Sequence, residues 1–134
     1  MISAALTDVA GSSAIFDRGF VTYTNQAKKS MLGVSAHSLD QFGAVSEQVA
    51  REMCAGALKH SDANLSVAVT GIAGPGGSEH KPEGRVCFGV MRTGKEPRVE
   101  TIEFGAIGRA NVRKKTTEHA LSLILAQINQ AKRK

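Results

Sequence analysis

Apolar positions along the chain follow two spacings, one helical and one alternating. In residues 1–10, Ile2, Ala5, Leu6 and Val9 recur at helical intervals. Gly11-Ser12-Ser13 ends that segment, since glycine supplies a left-handed C-cap and serines can cap the next turn. Residues 19–24, GFVTYT, alternate and are rich in β-branched and aromatic types, which predicts a short strand. Asn25 is placed to cap a helix to about Leu32, closed by Gly33, and Ser35 to cap a short turn through Leu39. A longer helix is predicted over 46–59, with Val49, Met53 and Ala57 on one face.

The second half reads mainly as strands. LSVAVT (65–70) is a compact apolar strand that runs into GIAGPGG and a polar loop through Pro82. Residues 84–91 and 99–104 are two more strands. The short TGKEP turn between them predicts an antiparallel pair inside a mixed sheet. Residues 111–132 form a long amphipathic helix whose broad apolar face carries Val112, Ala120, Leu123, Ile124, Leu125 and Ile128. There is neither an internal repeat nor an interdomain linker, so one layered α/β domain over 1–134 is the economical assignment.

Composition narrows the class. With 134 residues, 42% hydrophobic and 22% charged, the chain reads as soluble and globular. No apolar run approaches the roughly 18 residues of a membrane span, and no basic segment precedes a signal-peptide core. The net charge of +5 is local: residues 1–108 hold 10 Lys+Arg against 11 Asp+Glu, whereas 109–134 hold 7 against one. A solvated basic tail ending in Lys132, Arg133 and Lys134 accounts for much of it. With 4% aromatics there is little to stack bases, so nucleic acid is the less favoured partner. His37, His60, His80 and His119 lack ligand spacing, and Cys54 and Cys87 read as core fillers, so neither metal nor cofactor is implied.

Three places could carry chemistry. The first is Thr70-Gly71-Ile72-Ala73-Gly74-Pro75-Gly76-Gly77, at the end of an apolar strand. Its glycines permit positive φ and close approach of backbone N–H groups to an anion, although a tight turn would use them equally. It is neither a dinucleotide fingerprint nor a P-loop. The second is Tyr23 with Lys28, a phenol and an amine able to move protons; an exposed lysine and a core tyrosine would explain both. The third is the start of the last helix, where Arg109 and Arg113 crowd an already positive end and favour a bound anion or remain solvated.

The stretches AALTDVAGSSAIFDRGFVTYTNQAK (4–28), GAVSEQVARE (43–52) and VTGIAGPGG (69–77) resemble, in order and spacing, the CinA C-terminal domain family. KPEGRVCFGV and the helix over 111–125 fit too. Enzymatic members of that family are nicotinamide-mononucleotide (NMN) deamidases. The resemblance implies a three-layer α/β/α sandwich with a mixed, mostly parallel sheet, a bacterial cytoplasmic setting and homo-oligomers. It also implies hydrolysis of the NMN carboxamide to nicotinate mononucleotide and ammonia, with a serine nucleophile assisted by Lys28 and Tyr23. The family's serine motif, ESCTGG, aligns ahead of Met1, and Ser3, Ser12 and Ser13 do not match it. The usual Gly-Asp-Arg before the last helix reads Ile107-Gly108-Arg109. The expectation is therefore an N-terminally short domain that does not turn over NMN usefully as written and that oligomerises or swaps elements to cover its sheet. A non-catalytic paralogue and a nucleic-acid-associated competence protein are the alternatives.

Overall fold

The computed structural model describes residues 1–78 and 80–132, so Arg133 and Lys134 of the basic tail lie outside the described residues. The elements are α1 (Ile2–Thr7), a 3-10 turn (Ser12–Ala14), α2 (Asn25–Leu32), α3 (Ala36–Phe42), α4 (Glu47–Lys59), β1 (Leu65–Gly71), β2 (Arg85–Arg92), β3 (Arg98–Glu103) and α5 (Arg109–Lys132). Side-chain oxygens start three of the helices. Ser35 accepts from the Ser38 N–H and Ser46 from the Val49 N–H. Thr24, rather than Asn25, caps α2 by accepting from the Ala27 N–H, and Gly33 closes that helix with φ of 70°.

The sheet has the order β1-β2-β3 and both pairings are antiparallel. The expectation of a mostly parallel sheet is corrected here, for a physical reason. Parallel neighbours need a long crossover, usually a helix, and every helix of the described chain lies before β1 or after β3. The 72–84 loop and the 93–97 turn simply return the chain alongside itself. Register follows alternation: Ala68 opposite Gly89 and Thr70 opposite Cys87 face α4, while Val67 opposite Val90 and Val69 opposite Phe88 face the other way, toward α5. Helices thus cover both faces of one sheet.

Packing is tightest under α4. A Cβ on Gly89 would stand 2.6 Å from the Ala50 carbonyl oxygen, so only glycine lets the helix come this close. Leu32, Val34, Leu39, Val49 and Met53 are buried on this side, and Val86, Phe88, Val112 and Ala120 on the other. The apolar face of α5 is covered only in part. Leu125 and Ile128 remain 58% and 42% exposed.

The strand expected over 19–24 is also corrected. Its alternation is real, but residues 16–23 join no ladder; they run beside β1 across a groove instead of hydrogen-bonding to it. The segment is tied at both ends. The Asp17 carboxylate accepts from the Asp62 N–H at 2.9 Å, Arg18 Nη1 donates to the His60 carbonyl at 2.9 Å, and Thr24 begins α2. The Asp62 N–H is the first cause holding the Asp17 carboxyl below the ordinary aspartate value, with Arg18 adding to it.

Candidate functional site

The glycine loop forms one wall of a cleft of about 290 Å³. Its root continues the β1–β2 ladder: the Ile72 N–H donates to the Arg85 carbonyl and the Gly84 N–H donates to the Ile72 carbonyl. Ala44 and Val45, just ahead of the Ser46 cap of α4, form the facing wall. Thr70 joins the two walls, donating its hydroxyl to the Ala44 carbonyl at 2.7 Å. Arg109, the first residue of α5, stands at the third side and donates Nη1 to the Gly74 carbonyl at 2.8 Å. The positive end of a long helix therefore opens beside a guanidinium and a glycine-rich backbone, an arrangement suited to an anion.

Two charged side chains brace this architecture without having been anticipated. Lys81 donates Nζ to the Phe42 carbonyl and, at 2.6 Å, to the Val45 carbonyl, tying the loop beyond the glycines to the α3–α4 corner. Glu83 accepts from the Gly76 N–H at 2.5 Å. The only signal in the sequence was a pair of opposite charges flanking Pro82 in an otherwise polar loop.

The residues expected at the site do not all come together. Gly71, Gly74, Gly76 and Arg109 line the cleft together with Ile72 and Ala73. Ile72 is also core, clustered with Val45, Ala50 and Cys87, and Thr70 is a buried strut. Arg113, one turn further along α5, is exposed and outside the cleft lining. Tyr23 lies elsewhere, 83% exposed beside a separate groove of about 610 Å³ between residues 15–23 and β1. Lys28 is buried in α2 and donates Nζ to the Thr22 carbonyl at 2.8 Å; it lines neither cavity. Its helix packs against α4, on the same side of the sheet as Thr70 and Ala44.

Burial, the leading cause, pushes the Cys54 thiol up to about 11 and raises Cys87 as well. Neither supplies a thiolate near neutrality. Among the described residues, no group of three or more His, Cys, Asp or Glu could hold a metal ion, and no helix is long and apolar enough to cross a membrane.

Comparison with known proteins now bears on this geometry. Residues 1–128 match the CinA C-terminal domain. The chain belongs to that family. This CinA C-terminal domain is 58% identical over 104 residues to a nicotinamide-nucleotide amidohydrolase PncC from Enterobacter agglomerans, covering 77% of the chain and 62% of that protein. It therefore spans less than two thirds of that relative's length. Identity to the protein of the same name from Escherichia coli (strain K12) is 46% over 130 residues, 96% of the chain and 78% of the relative. The fold superposes on a competence/damage inducible protein from Agrobacterium tumefaciens with a TM-score of 0.90 at 51% identity, over 93% of this chain and 76% of that one. A CinA superfamily structure from Escherichia coli gives 0.87 at 37% identity, over 92% and 72%. This CinA domain is thus a homologue of PncC along most of its length.

Proposed function

We propose that the chain acts on nicotinamide mononucleotide, hydrolysing its carboxamide to nicotinate mononucleotide and ammonia. The observation that carries this reading is the 46% identity, along 96% of the chain, to a nicotinamide-nucleotide amidohydrolase. The cleft supports it physically. Arg109 and the start of α5 offer positive charge to a phosphate, and the backbone of the glycine loop lines the same cleft. The family resemblance assigns the proton transfers to Lys28 and Tyr23, which stand outside this cleft, so the cleft accounts for binding and not for the chemical step. The C–N bond breaks, water supplies the new carboxylate oxygen, and ammonia leaves.

A single domain, a cytoplasmic setting and a homo-oligomer belong to the same reading. Ile15, Val21 and Tyr23 are each more than four-fifths exposed, an apolar surface that a second copy would cover. The expectation that turnover is lost finds no support in the comparisons. One assay addresses both: purified protein is incubated with NMN, and ammonia and nicotinate mononucleotide are quantified against time. Equimolar appearance of the two supports the reading. A folded protein that yields neither, while showing salt-sensitive DNA binding, would overturn it in favour of a nucleic-acid role.

A further inference from the structure

The Gly74–Gly76 turn is held by two side chains of opposite charge from different parts of the chain. Arg109 donates to the Gly74 carbonyl from the start of α5, and Glu83 accepts the Gly76 N–H from the approach to β2. Glu83 lies hard against the turn. A Cβ on Gly74 would meet its carboxyl carbon at 2.7 Å and Oε1 at 3.0 Å, and Gly74 also needs its φ of 96°. Glu83 is outside the cleft lining and touches the turn from behind.

A glycine turn of this kind offers N–H groups to an anion. Here the Gly76 donor already serves a carboxylate belonging to the protein. We propose that Glu83 is an internal anion that sets the charge preference of the cleft: it satisfies the Gly76 N–H, opposes a ligand phosphate at the loop, and leaves the Arg109 end as the place for that phosphate. The inference rests on the reading of this cleft as the nucleotide site. It orients the ligand, with its anionic group toward α5 and its uncharged or cationic part toward the Gly76 end. A glutamate is therefore a specificity device as well as a brace.

Charge and brace separate in one substitution. Glu83→Gln keeps an acceptor oxygen for the Gly76 N–H and removes only the negative charge. Wild type and variant, matched by thermal melting, are titrated calorimetrically at low ionic strength with sulfate, NMN and nicotinamide riboside, which is NMN without its phosphate. One unit charge at roughly 5 Å in a watery environment corresponds to a change of about fourfold. The expected result is sulfate binding about three- to tenfold tighter in Glu83→Gln, the cationic riboside weaker, NMN between the two, and each shift shrinking as salt rises. A purely structural brace would move NMN and riboside together. Equal or weaker sulfate binding by the variant, a parallel shift for the riboside, or no sulfate binding by either protein overturns the inference. Failure of the wild type to release ammonia from NMN would instead overturn the amidohydrolase reading, and the sulfate comparison would still decide the role of Glu83.

Discussion

Gly56→Ala sets helix propensity against tertiary packing, and the two disagree in sign. Gly56 lies in the last turn of α4, where alanine would gain about 1 kcal/mol from backbone preference alone. A Cβ there falls 1.9 Å from the Leu32 carbonyl oxygen, 2.8 Å from its carbon and 3.1 Å from its Cα. All three are backbone atoms at the end of α2, so no side chain can rotate out of the way. An ordinary carbon–oxygen contact of about 3.3 Å requires the end of α2 to retreat by roughly 1.4 Å. Leu32 and Val34, buried at 4% and 3% exposure, move with it. Overpacking of this kind costs about 1–3 kcal/mol, and a backbone clash belongs at the upper end. Set against the propensity gain, the net loss is about 1–2 kcal/mol. Urea unfolding followed by circular dichroism reads it: for a slope near 1.5 kcal/mol per molar, the midpoint falls by about 1 M. An unchanged or raised midpoint would refute the close approach of α2 to α4.

Ser46→Ala removes both the cap to the Val49 N–H and the hydroxyl's donation to the Gly43 carbonyl, and is expected to cost about 1 kcal/mol, read as a drop of a few degrees in Tm; no drop counts against the cap. Arg109→Ala should leave the circular dichroism spectrum intact and weaken NMN binding by about tenfold or more, since it deletes the charged donor beside the loop; equal affinity would return Arg109 to a role on the Gly74 carbonyl alone. Alkaline stability tests Cys54. Its thiol sits at about 11 when folded against 9.0 as the ordinary value, so its contribution is intact below about pH 9. Between pH 9 and 11 the unfolded chain loses the proton first and stability falls. Cys54→Ala should therefore lose less stability than wild type between about pH 8 and about pH 10.5, and an equal loss would sink the assignment.

What could be read ahead of the structure was local. Ser35, Ser46 and Gly33 announce helix ends because a cap is formed within three or four residues, and the strands at 65–70, 84–91 and 99–104 differ from the observed β1, β2 and β3 only at their ends. Strand direction is set by connections. The short TGKEP turn marked the pairing of β2 with β3 as antiparallel, whereas the mostly parallel sheet came from the family resemblance. GFVTYT carries strand composition, yet a strand exists only with a hydrogen-bonding partner, which no local pattern reports. At the cleft, glycine spacing marked the loop. The wall formed by Ala44 and Val45 arises from a tertiary approach across the sheet end, and Glu83 acts through one bond across a turn, so neither left a periodic trace.

The anchoring of residues 17–24 bears on how Tyr23 can move. With Asp17 and Arg18 fastened to the end of α4 and Thr24 fixed as the start of α2, the phenol rides on a span whose two ends are fixed. A free tail explores a sphere; a span held at both ends sweeps an arc about the line joining its supports. The contour of residues 19–23, about 17 Å at full stretch, bounds the radius of that arc. Adding or deleting one residue there changes its sweep while leaving both supports in place.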